Sequence, residues 1–219
     1  MGIYLVGGIA FIVSMLVQRR LKTAYAVWGK VQNSQNMTGA EAAARILQAN
    51  GIRDVQVAPI PGKLTDHYNP KKKTVRLSEG VFDGRSVAAL GVAAHEVGHA
   101  MQDAQGYAPM KIRASLVPVA SLGSSMGPYI IIGGTLLNLA GLISIGIILF
   151  SAAVLFQIVT LPVEFDASKR AVTQLDTLGI VDPREKAGAT RVLNAAGLTY
   201  VAAAATSFTY LLYFILRSR

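Results

Sequence analysis

Residues 116–161 read LVPVASLGSSMGPYIIIGGTLLNLAGLISIGIILFSAAVLFQIVTL, 46 residues without one Asp, Glu, Lys, Arg or His. A helix rises about 1.5 Å per residue, so two crossings of a bilayer core about 30 Å thick take about 40 residues. The run therefore reads as a transmembrane helical hairpin, its turn near Gly133, Gly134 and Asn138. A single soluble core helix of this length is excluded. Pro118 and Pro128 are expected to kink the first arm.

The composition agrees with a membrane protein. The 219 residues are 52% apolar and only 15% charged, against about 25% charged in soluble domains. Upstream, Gly2 to Gln18 is uncharged and Arg19, Arg20 and Lys22 follow at once. A signal peptide has its positive charges before the apolar run and a small-residue cleavage site after it. This segment has the reverse polarity and reads as an uncleaved helix, near the short limit for a span. Downstream, Ala195 to Leu216 is again uncharged and apolar, and Arg217 and Arg219 follow.

The expected organisation is an N-terminal transmembrane helix over 1–18, a polar α+β portion over 19–115, the transmembrane hairpin over 116–161, a polar helical segment over 162–194 with Pro162 in its first turn, and a C-terminal transmembrane helix over 195–219. The fold class expected is mainly α, with four transmembrane helices and a small cytoplasmic α+β portion. Of the 21 Lys and Arg residues, 14 lie in 19–113 and 5 in 162–194, which places both polar portions in the cytoplasm and both termini outside. The net charge of +9 belongs to these flanks. There is no aromatic–basic patch, so the lipid bilayer is the expected partner and nucleic acid is not. The membrane segments carry no ionisable residue, which weighs against an ion path.

Within the first polar portion, Thr38 and Glu41 form a capping box that opens a helix over Gly39–Ala49, ended by Asn50-Gly51. Val55–Val57 reads as a strand. Lys63–Tyr68 and Thr74–Leu77 read as a hairpin about Asn69-Pro70-Lys71-Lys72. As an exposed edge, Thr74–Leu77 could take an extended peptide as a further strand; Lys71, Lys72 and Lys73 could equally shield it.

The chemistry is concentrated in His95-Glu96-Val97-Gly98-His99, an H-E-x-x-H sequence inside an alanine-rich helix with Ser86 as N-cap and Gly106 as stop. Residues four apart lie one turn above each other, so both imidazoles can grip one Zn²⁺ from one side while Glu96 acts as general base on a water. The chain has three histidines and five glutamates, and chance occurrence at that composition is on the order of one in a thousand. Cysteine is absent, so zinc must be held by His and carboxylate.

A catalytic zinc takes three protein ligands. Asp103 cannot complete the set, because it lies about 12 Å from His95 along a straight helix. The candidates are His67, Glu164 and Asp166. Glu164 falls on the same expected membrane side as His95, and the hairpin brings it back to that surface. On one helix Glu164 and Asp166 point about 200° apart, so only one can face the site.

Three blocks, Thr65–Pro70, Val92–Gln102 and Thr160–Ser168, together resemble the YugP-type family of bacterial membrane zinc metallopeptidases. The resemblance covers nearly the whole chain. It implies a neutral zinc peptidase embedded in the cytoplasmic membrane, similar in plan to the HtpX-type and CAAX prenyl proteases. By that likeness His95 and His99 match the histidine ligands, Glu96 the catalytic base and Glu164 the third ligand. Those relatives carry an Asp four residues after the ligand Glu; here that place is Ser168, so support of the ligands is expected to differ, with Asp166 or Arg170 as candidates.

The function expected is a gluzincin-like metalloendopeptidase with one Zn²⁺ per chain, acting on a peptide or membrane-protein substrate at the cytoplasmic face. His67 or Tyr68 is the candidate oxyanion donor. The alternative is a non-catalytic membrane scaffold with a structural zinc, which needs a fourth protein ligand such as His67.

Overall fold

The computed structural model describes residues 2–218, with side chains from Leu5 onward. The chain is mainly helical with one small sheet. In order it forms α1 (Gly2–Trp28), α2 (Gly39–Ala49), β1 (Gln56–Ile60), β2 (His67–Asn69), β3 (Thr74–Ser78), α3 (Glu79–Phe82), α4 (Val87–Ala104), α5 (Ala108–Leu136), α6 (Ala140–Thr177) and α7 (Pro183–Arg217). Two compact units divide these elements. One comprises Met1–Gln18, Ala108–Pro162 and Leu198–Arg219; the other comprises Arg19–Tyr107 and Val163–Gly197.

The first unit is apolar on its outside as well as inside. Leu122, Tyr129, Ile148 and Phe208 are all exposed, an apolar exterior that suits contact with lipid. Its helices come close because they lack side chains at the contacts. A Cβ on Gly123 would meet the Leu149 carbonyl oxygen, and one on Gly127 would lie 3.0–3.2 Å from Phe150. The hairpin turn falls where it was expected, with Asn138 in the left-handed region at φ +55°. Among the described residues three helices are long and apolar enough to cross a membrane: α5, α6 and α7.

The expectation was four, and among the described residues the count is three. The 1–18 segment is not among the three: its helix runs on through Arg19, Arg20 and Lys22 to Trp28, so its uncharged stretch is only the short end of what a span needs. Two further readings change. Pro162 lies inside α6, not in the first turn of a new helix. And α7 already begins at Pro183.

The second unit is built as its sequence dictates. Thr38 Oγ1 accepts from the Glu41 N–H while the Glu41 carboxylate accepts from the Thr38 N–H, so the capping box of α2 is complete. That helix buries Ala42, Ala43, Ile46 and Leu47, a stripe at helical spacing. In the sheet, β2 pairs antiparallel with β3, with Tyr68 opposite Val75, and β1 pairs parallel with β3 on its other side. The order β1-β3-β2 makes β3 the central strand. Thr74–Leu77 is therefore no edge, and a peptide cannot add to it. Both of its ladders are already filled, because β1 returns parallel to it. The hairpin turn is held by Asn69 Oδ1, which accepts from the N–H groups of Lys71 and Lys72.

Helix α4 starts where Ser86 Oγ accepts from the Ala89 N–H and stops before Gly106 at φ +64°. It is buried nearly all round, including Val87, Leu90, Val97 and Met101. The part of α6 beyond Pro162 buries Val163, Ala167, Ala171 and Leu175, one residue per turn on one face.

Candidate metal centre

Helix geometry stacks His95 and His99 on one face of α4, with ring centroids 4.8 Å apart and planes at 82°. Helix α6 supplies the third group. Glu164 Oε2 lies 3.3 Å from His95 Nε2 and 3.6 Å from His99 Nε2. Candidate donor atoms of His95, His99 and Glu164 all fall within 4.8 Å of one another. Glu164 is 3% exposed and the His95 and His99 side chains 15% and 10%, so the cluster is closed on the protein side and open on one.

Glycine makes this approach possible. A Cβ on Gly98, between the two histidines, would lie 2.5 Å from the Ala167 carbonyl oxygen of α6. With hydrogen there, the backbone of α6 can lie directly against α4, and Glu164, one turn before Ala167, reaches the histidines.

Each imidazole is also held from behind. His95 Nδ1 is 3.1 Å from Ser168 Oγ, and His99 Nδ1 is 3.0 Å from Gln102 Oε1. Gln102 is fully buried, and its Nε2 donates to the Val163 carbonyl at 2.8 Å and to Asp166 Oδ2 at 2.9 Å. Arg170 Nε in turn donates to Asp166, and its guanidinium also reaches Gln105 and stands 5.7 Å over the Tyr107 ring. Both Nε2 atoms are left to face Glu164.

Electrostatics work in the same direction. Burial lowers the pKa of the His99 imidazole, but the Glu164 hydrogen bond and the charges of Glu96 and Glu164 outweigh it, and the value is raised. The field that favours a proton there favours any cation.

Glu96 is 8% exposed, and among the described residues no other group donates a hydrogen bond to its carboxylate. His67 sits on β2 with Nδ1 2.8 Å from the Thr65 carbonyl, and it is not part of the metal-competent cluster. Tyr68 donates to Asp103 Oδ2 at 2.8 Å, and Lys73 joins the same oxygen at 2.6 Å. Asp103 thus ties the sheet to the end of α4. Asp166 and Arg170 lie behind the cluster, with Gln102 between them and the His99 ring. Gln102 was passed over in the sequence. Its signal was an amide three residues after His99 on a helix otherwise made of small and apolar residues.

Helices apolar and long enough to cross a membrane, together with a two-histidine, one-carboxylate cluster that could hold a metal ion, define the class. Comparison with known proteins gives the family. Residues 3–219 match the family described as "Putative neutral zinc metallopeptidase", and the chain belongs to it. It is 48% identical over 203 residues to the protein named "Putative membrane protease YugP" of Bacillus subtilis (strain 168), over 93% of this chain and 90% of that one. No solved structure matches.

Proposed function

We propose that the chain is a membrane-embedded, zinc-dependent metalloendopeptidase of the gluzincin kind that hydrolyses peptide bonds at the cytoplasmic membrane face. The observation that carries this reading is the convergence of His95 Nε2, His99 Nε2 and Glu164 Oε2. Zinc–nitrogen and zinc–oxygen bonds of about 2.0–2.2 Å at tetrahedral angles set ligand atoms about 3.4 Å apart. The separations of 3.3 and 3.6 Å from Glu164 Oε2 fit that spacing.

One Zn²⁺ per chain, held by these three residues, would supply Lewis acidity towards a peptide carbonyl and towards water. Glu96 takes the proton of the attacking water and returns it to the leaving amine. Its carboxylate, next to His95 in sequence and accepting no hydrogen bond among the described residues, suits that task. His67 can serve as oxyanion donor only as the imidazolium, because in the neutral ring the proton lies on Nδ1 against the Thr65 carbonyl. Three protein donors favour a catalytic site over the structural zinc of a scaffold, which is closed by four. The substrate is a peptide or a membrane-protein segment. The excess of Lys and Arg in 19–113 and 162–194 supports a cytoplasmic site.

Metal analysis with a casein cleavage assay tests the reading. Wild type should hold zinc and cleave. Glu96→Gln should keep the zinc and lose activity by about 10²–10⁴-fold, the usual worth of a general base; activity within about tenfold of wild type would refute the mechanism. Reporter fusions after Lys30 and Lys186 should both give a cytoplasmic signal.

A further inference from the structure

We propose that Gln102 is a positioning residue for the metal centre, one amide that sets the tautomer of His99 and also fixes the helix carrying Glu164. The inference rests on the metal reading above. Gln102 is fully buried, so its polar atoms must find partners within the protein. Gln102 has an N–H₂ that only donates and an oxygen that only accepts. Its nitrogen faces two groups that only accept in their ordinary states, the Val163 carbonyl at 2.8 Å and the Asp166 carboxylate at 2.9 Å. The reverse orientation would set oxygen against both oxygens and leave the amide protons without them, a cost that a buried site does not tolerate. Oε1 must therefore be the atom 3.0 Å from His99 Nδ1.

An acceptor at that place requires the proton on Nδ1, and the Nε2 lone pair is then left for a cation. Arg170 holds the Asp166 carboxylate in place from the other side, so the orientation is enforced through a chain of four side chains. The same nitrogen bonds the carbonyl of Val163, the residue immediately before Glu164. One side chain on α4 thus fixes a histidine on its own helix and the backbone beside the carboxylate on α6. Ser168 cannot do this for His95, because a hydroxyl can donate or accept.

The test uses the full chain in detergent with labelled histidine. Only three histidines contribute, so the ring nitrogen spectrum is sparse and assignable by single substitution. In the metal-free wild type, at a pH where the His99 ring is neutral, His99 should show the Nδ1–H tautomer; a neutral Nε2–H tautomer would overturn the inference even if no variant folds. Gln102→Met, similar in volume but without hydrogen bonds, should weaken zinc binding about 10–100-fold, the usual effect of losing a supporting partner, and should leave His99 in mixed tautomers. Gln102→Glu keeps the acceptor and loses both donors, so it should keep Nδ1–H on His99 while still weakening zinc. A residue that only filled space would separate neither readout. Wild-type zinc affinity in Gln102→Met, or an unchanged His99 spectrum in it, would refute the role of Gln102 alone. A wild-type chain that binds no zinc would refute the metal reading and this inference with it.

Discussion

Helices α4 and α6 contribute to the same cluster by different means. On α4, two histidines and Glu96 fall within five consecutive residues, and the helical repeat alone places both rings on one face. On α6, Glu164 stands 69 residues after His95, and nothing local to it sets its position. Its place is fixed by packing: the missing side chain at Gly98, the small Ala167 opposite, and the Gln102 bond to Val163. One half of the centre is written in a helical repeat; the other exists only when two helices touch.

The largest effect should come from removing the α6 half. Glu164→Ala should lower zinc affinity by more than the 10–100-fold that loss of a supporting residue costs. Asp166→Ala and His67→Ala should stay near stoichiometric in metal. If Glu164→Ala held full zinc, α4 alone would suffice and the comparison would collapse. An empty site in His67→Ala would show that the third ligand is wrongly assigned.

Gly98→Ala tests the contact between the helices without touching a ligand. On an isolated helix the change would favour folding by about 1 kcal/mol. Here the new Cβ would sit 2.5 Å from a backbone oxygen, and overpacking of a fitted core costs about 1–3 kcal/mol. Either α6 moves outward and carries Glu164 with it, or the helix strains. The expected result is zinc binding weakened at least about tenfold, with a lower melting temperature. Equal affinity and equal melting would mean that α6 is not held at this contact.

The same contrast explains what could be read from the sequence. The α4 motif, both helix caps, the hairpin turn at Asn138 and the β2–β3 pairing follow from short-range rules and stand in the structure as expected. The partnership of β1 with β3 did not, because a parallel pairing is made by distant residues and leaves no local mark. For Pro162 the sequence misled. Proline usually marks a helix start, yet here it is absorbed within a 38-residue helix. Glu164 was legible as one of three candidates on topology, and the resemblance to a family singled it out. The supporting partners were not legible. Asp166 and Arg170 stood out as charges, whereas the atoms that touch the rings belong to Ser168 and Gln102, whose uncharged side chains look ordinary in sequence.

The smallest effect separates the two histidines themselves. His99 is held by a buried amide whose orientation is enforced, and His95 by one hydroxyl, 3.1 Å away, on a ring that is 15% exposed. Ser168→Ala removes a single neutral hydrogen bond, worth about 0.5–1.5 kcal/mol. Water can reach a partly exposed ring and replace much of it, so zinc affinity should fall by less than about tenfold. Ser168→Asp should bind at least as tightly as wild type, because a carboxylate accepts from Nδ1–H in a charge-assisted bond and permits only that tautomer. Competition with a chromophoric chelator, run on these two variants beside Gln102→Met, orders the three. A greater loss in Ser168→Ala than in Gln102→Met would reverse the ranking, and with it the claim that the buried amide, not the hydroxyl, is the principal support of the histidine pair.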